Sequence, residues 1–270
     1  MKPTSNTVKF HVVRSDGTPY SKVASASLQA GKFYHPTLSA TLDDATTTPL
    51  TLEAIESGTV SFQNNAAGSV YYSIDGGART EIPAGSTGTT PTQAAGQAVA
   101  FYGDNATYTT SNNESRISCT AGCYVYGNIM SLISSTDFPN CKTLTENNTF
   151  AYLFNSNSYI YNHVSRLLML PATTLTDECY SGMFSGCTSL TTAPDLPATT
   201  LVSYCYRAMI SGCTSLRSIK CLATNISASN CTADWLSGVS ATGTFTKASS
   251  MTDWTEGASG IPTGWTVENE

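Results

Sequence analysis

Nine cysteines, three histidines and nineteen carboxylates are the reactive side chains of this chain. A zinc site needs close ligand pairs held tetrahedrally. No Cys-x-x-Cys pair occurs, Cys119 and Cys123 lie four apart with no matching second pair, and His11, His35 and His163 are scattered. Neither a metal nor another cofactor is expected. An odd cysteine count leaves one thiol unpaired in any disulfide scheme. The alternative is that the cysteines are small buried hydrophobes, which the reading below favours, with a Cys213–Cys221 pair left open. Three histidines and no Gly-x-Ser-x-Gly are poor material for a nucleophilic triad. Of the carboxylates, Asp43 and Asp44 sit in a linker-like stretch. Asp177, Glu178, Asp195, Asp234 and Asp253 share no repeat position, and they read as solvated charges rather than a hydrolytic pair. Gly-x-Gly-x-x-Gly and P-loop fingerprints are missing. Tyrosine offers large contact area at low entropy cost and favours recognition surfaces, but it is also common at the rim of a core. Tyr180, Tyr204 and Tyr206 are the candidate binding residues, with Tyr159 and Tyr161 nearby.

These residues are positioned by a repeat. SGCTSL occurs at 185–190 and 211–216, and LPATTL at 170–175 and 196–201, each pair 26 residues apart. The same step relates Cys179, Cys205 and Cys231, then Cys187 and Cys213, then Phe184, Ile210 and Leu236, then Leu190 and Leu216. An earlier copy fits with an offset of 30, placing Thr149, Phe154, Asn157 and Ile160 in those four slots. Its four extra residues fall in YNHVSRLLMLP (161–171). In each unit a segment such as CYSGMF (179–184) is expected to form about one and a half helical turns, SGCTSL to bend away, and LTTAPDL to run extended because proline blocks helix. No unit buries its apolar side alone, so stacking into ladders with one continuous core is the expected solution.

Ahead of the repeats, residues 1–48 read as a β segment, an anchor or oligomerisation element. VKFHVV (8–13) and a run from Val23 to Leu28 are separated by a Ser15-Asp16-Gly17-Thr18 turn. Residues 49–110 read as a small β-sandwich, with TVSF (59–62), SVYYSI (69–74), ARTEI (78–82) and QAVAFY (97–102) divided by glycine-rich turns. The repeats occupy 111–245, and 246–270 suit a cap in which Phe245, Trp254 and Trp265 cover the end of the core. The expected fold class is mixed: an N-terminal all-β part, hairpin plus small sandwich, followed by a short leucine-rich-repeat solenoid with a C-terminal cap.

Composition excludes several functions. Charged residues are 12 % and hydrophobic residues 40 % of the 270, and the net charge is −6. There is no Lys/Arg cluster, which argues against nucleic acid. The longest apolar run, Leu167 to Leu170, is far too short to span a bilayer. MKPTSNTVKF has no apolar core of a secretory signal.

Met183-Phe184-Ser185-Gly186-Cys187-Thr188-Ser189-Leu190, and Met209-Ile210-Ser211-Gly212-Cys213-Thr214-Ser215-Leu216 with Ile for Phe, resemble the BspA-like leucine-rich repeat, whose unit reads roughly Ala-Phe-x-x-Cys-x-Ser-Leu, an extended segment, then Leu-Pro. The resemblance covers roughly residues 111–245, at a period longer than the family's common one. It implies a non-enzymatic structural or recognition protein, since similar proteins are surface adhesins of anaerobic bacteria or belong to phages that infect them. With no visible leader, the first expectation is a virion appendage, a head fibre or tail-associated protein. The alternative is an exported cell-surface adhesin. Expected partners are other copies of the chain, neighbouring virion or surface proteins, and a host-surface protein or glycan.

Overall fold

The computed structural model describes residues 45–110 and 113–270, together with two backbone strands before them, β1 (Ser5–Val13) and β2 (Pro19–Ser27). These pair antiparallel from Ser5↔Ser27 to Val13↔Pro19. The expected turn at Ser15–Thr18, and Asp43 and Asp44, lie outside the described residues.

Two sheets form the next layer. One comprises β4 (Val60–Asn64), β7 (Ser86–Thr89) and β11 (Arg116–Cys119), in the order β11-β4-β7 and antiparallel throughout. The other runs β13-β12-β3-β8-β5-β6, from β3 (Thr51–Ala54), β5 (Val70–Ile74), β6 (Thr80–Ile82), β8 (Ala98–Gly103), β12 (Cys123–Asn128) and β13 (Ile160–Asn162), with β14 (Leu168–Met169) also pairing β12. A two-residue pair, β9 (Thr109–Thr110) with β10 (Asn113–Glu114), stands apart. Side chains alternate across a strand, so Val60, Phe62 and Asn64 of β4 and Val99, Phe101 and Gly103 of β8 point inward. The ring of Phe62 lies 5.4 Å from Phe101 and 6.0 Å from Tyr108. β11 and β12 come after residue 110, yet they pair with β4 and β3 and complete these sheets.

The repeats follow a different backbone rule. The protein is nearly all β, with 30 % strand and 3 % helix in several separate sheets. The expected mixed class with a leucine-rich-repeat solenoid is corrected on that finding. The helical turns expected in each unit do not form. Instead every fourth residue is left-handed: Asn148, Tyr152 and Ser156, then Glu178, Gly182 and Gly186, then Tyr204, Ala208 and Gly212, then Asn230, Asp234 and Gly238. A left-handed residue in each turn breaks the i→i−4 ladder that a helix requires. The amides take two other routes in alternation. Cys179, Ser181, Met183 and Ser185 donate to the carbonyl three residues back. Glu178, Tyr180, Gly182, Phe184 and Gly186 donate to Ser203, Cys205, Arg207, Met209 and Ser211 of the next copy, at 2.7–3.0 Å. The proline-bearing segments do not run as a continuous sheet either. They meet only at isolated bridges such as Thr143↔Thr174, Leu196↔Cys221 and Thr200↔Asn225.

At the far end β15 (Ser218–Cys221), β16 (Thr244–Lys247) and β17 (Thr266–Asn269) form a parallel three-stranded sheet. Trp254 stacks on Trp235 at 5.3 Å, and the indole N–H groups of Trp235 and Trp265 donate to Gly260 O and Ser240 O.

Candidate functional site

The tyrosines singled out by the repeat fall in two environments. Tyr180 and Tyr206 are 1 % exposed. They belong to an aromatic column in which successive rings Tyr108, Phe150, Tyr180, Tyr206 and Trp235 stack at 5.9–6.2 Å. A ring with neighbours on both faces offers no surface to a ligand, so these two are core residues, a correction to their candidate binding role. Tyr204 is half-buried, and its hydroxyl accepts from Asn230 Nδ2 at 3.1 Å.

The ladder residues are all interior. Cys179, Cys187, Cys205, Cys213 and Cys231 are buried, as are Phe184, Ile210, Leu236, Leu190 and Leu216. Phe154 lies flat on Phe184, 5.4 Å apart with 6° between planes. Phe150, Tyr180 and Tyr206 donate their amides to the carbonyls of Cys179, Cys205 and Cys231, so each cysteine position is bonded to the preceding copy. The Cys187 and Cys213 thiols donate to Phe154 O and Phe184 O, both at 3.1 Å. Burial pushes the thiols of Cys179, Cys213 and Cys221 up to about 12 and raises Cys205 further. A thiol held protonated is neither nucleophile nor metal ligand. All nine cysteines are free. Cys119 and Cys123 are buried where β11 passes to β12, with Cys119 Sγ accepting from Asn157 Nδ2 at 3.6 Å. Among the described residues no group of three His, Cys, Asp or Glu is placed to hold a metal ion, and no helix is long and apolar enough to cross a membrane.

A surface where aromatic, apolar and acidic groups converge lies beside the first repeat copy, on the outward face of β12, β3 and β13. Register places Tyr124 opposite Glu53 on one side and Tyr161 on the other, forming a Tyr161–Tyr124–Glu53 row across three strands. Strands about 4.8 Å apart put the two tyrosines side by side. A groove of about 420 Å³ runs along this row, lined by Ile55, Glu56, Gly122, Tyr124, Tyr161 and Asn162, with Ser189 and Thr191 of the next copy at its end. Ile55 and Tyr161 are exposed, as are Tyr159, Val164 and Leu167 in the same stretch of chain as Tyr161.

The four extra residues of the first copy fall in the stretch that follows β13. The chain after β13 folds back over the sheet. Arg166 Nη1 donates to Glu53 Oε2 and to Tyr126 Oη, both at 2.6 Å, and the guanidinium carbon sits 4.7 Å from the Tyr126 ring centre. His163 packs edge-on against Tyr124 at 5.0 Å and Tyr126 at 5.5 Å. Its Nδ1 accepts the backbone N–H groups of Ser165 and Arg166, each at 3.1 Å, which holds the loop in its turn. Asn162 Oδ1 accepts from the amides of Thr191 and Thr192 at 2.9 and 3.0 Å. Asn162 therefore joins the groove to the next copy.

Gly122 forms the floor. A Cβ there would lie 3.4 Å from Tyr161 Cε2 and 3.5 Å from Ile55 Cδ1. Its lack of a side chain keeps the groove open. Repeat alignment could not find this site, because Glu56, Gly122 and Tyr124 all precede Thr149, the first aligned slot. The available signal was the insertion at 161–171 with its tyrosine, histidine and arginine.

No protein family, curated protein or solved structure matches the chain.

Proposed function

We propose that the chain is a non-enzymatic attachment protein that holds a surface glycan through the Tyr124–Tyr161 groove. The observation that carries this reading is the groove itself: two adjacent tyrosines on an outward sheet face, flanked by a carboxylate and hydroxyl-bearing residues. Concave sites lined by aromatics with a few polar groups are the usual form of small-ligand recognition. Within this reading the chain assembles with its own copies through residues 1–110 and sits on a virion as an appendage. Exposure on a cell surface is the competing placement.

The test is a printed glycan panel probed with the purified chain, followed by mass spectrometry of the bound sugars. Retention on a subset of glycans with intact sugars is the expected result. Shortened sugars would overturn the non-enzymatic reading, and no retention on any glycan would overturn attachment. Immunogold electron microscopy of particles and cells locates the protein.

A further inference from the structure

The charge and shape of the groove narrow the ligand. We propose that it takes a pyranose chain bearing free amines, one sugar lying flat on Tyr124 and Tyr161 and its ammonium group facing Glu56. This rests on the reading of the chain as an attachment protein.

Three observations carry it. First, a pyranose has one face made mostly of C–H groups, and the negative face of an aromatic ring attracts such positive edges. Tyr161 is 39 % exposed at a sheet edge, and no hydrogen bond ties its hydroxyl to another described residue. Second, Glu56 is the charged residue in the lining. Its Oε1 takes the Gly122 amide at a long 3.4 Å, and the residue is exposed. The neighbouring Glu53 is paired with Arg166 at 2.6 Å, and neither residue is in the lining. Among the lining residues Glu56 therefore supplies the one formal charge, a negative one. Unlike charges near a protein surface attract and like charges repel, both weakened by solvent screening at an exposed carboxylate. Third, the floor is a glycine backbone, which lets a flat ring approach.

Isothermal titration with three probes tests this: the glucosamine tetramer, the N-acetylglucosamine tetramer and 3′-sialyllactose. The glucosamine tetramer is expected to bind at least threefold tighter than its acetylated form, and sialyllactose weakest. Tyr161→Ala should weaken binding about tenfold or more, as for a truncated aromatic anchor, and Tyr161→Phe should restore most of it. Glu56→Gln should erase the preference for the free amine while keeping affinity for the acetylated tetramer. Gly122→Leu should block all binding. Melting temperatures near that of the unaltered chain certify that each variant folds. Binding that survives Tyr161→Ala and Gly122→Leu in folded protein overturns the groove assignment and leaves attachment standing. Tightest binding of sialyllactose overturns the charge argument. Failure to bind any of the three overturns the ligand class. Silence across the wider glycan panel as well overturns attachment.

Discussion

Tyr180 carries a hydroxyl that the core does not use. Its oxygen and that of Ser181 are buried with no hydrogen-bond partner in the structure, and an unmatched buried polar group costs about 1–3 kcal/mol. The first repeat copy supplies the comparison, because Phe150 and Ala151 occupy the corresponding positions and pack without either hydroxyl. Tyr180→Phe and Ser181→Ala should each raise stability by about 1 kcal/mol, read as a higher urea midpoint with unchanged slope. A lower midpoint for both would show that the hydroxyls find partners. The cysteines of the ladder behave differently: their thiols either donate to carbonyls of the stack, as Cys187 and Cys213 do, or fill space.

At the scale of elements, the loop from His163 to Leu167 is the part whose design is most local. A single cation bridges a carboxylate and a phenol from two strands, with Arg166 and Glu53 side chains 32 % and 18 % exposed. Partial exposure screens the pair, so its worth lies between a surface bridge and a buried one. Arg166→Ala should cost about 1–2 kcal/mol by that reasoning and speed hydrogen exchange of the amides at 163–169. Unchanged exchange there would mean that His163 alone holds the turn. The repeat units were legible in the sequence because equal spacing is a property of the letters: Cys179, Cys205 and Cys231 do fall at equivalent, buried positions. Their local conformation was not. CYSGMF has residues that a helix accepts, and nothing in Glu178 or Tyr204 announces a left-handed backbone. That state is imposed by the alternation of amides between one copy and the next, a tertiary constraint that local propensity does not contain. The same limit applies to the tyrosines. Repeat position identified Tyr180 and Tyr206 as equivalent, but equivalence in a stack means burial against the next ring rather than display.

For the whole molecule, the aromatic column runs from Phe62 of β4 and Tyr108 through each copy to Trp235 and Trp254. One core therefore joins parts that composition divides. Of the strands between residues 49 and 110, β4, β5, β6 and β8 were legible from two-residue alternation and β-forming residues, whereas β3 and β7 were not. The contributions of β11 and β12 were not, because a change in sequence style at about 111 suggested a boundary that strand pairing ignores. A shared core also sets the response to alkali. Burial raises the thiols of Cys179, Cys213 and Cys221 from 9.0 to about 12. Below pH 9 both folded and unfolded chains keep these protons, so stability is flat. Above it the unfolded chain loses protons that the folded chain retains, so stability falls as pH climbs from about 9 toward 12 by about 1.4 kcal/mol per unit for each thiol. Urea midpoints should be level from pH 7 to 8.5 and drop steeply by pH 10.5. A level midpoint throughout would mean that the thiols reach solvent.

Gly122 and Gly182 illustrate opposite kinds of freedom. A methyl group on Gly182, with φ +59°, would strike the Tyr152 ring at 2.4 Å, whereas one on Gly122 meets only ordinary van der Waals neighbours. The first position is locked by folding. The second is open to change, so that a single codon can make the cleft shallower or reshape it while the scaffold stays as it is. Under the attachment reading, what the groove takes is thereby uncoupled from the risk of misassembly, and new preferences arise one replacement at a time.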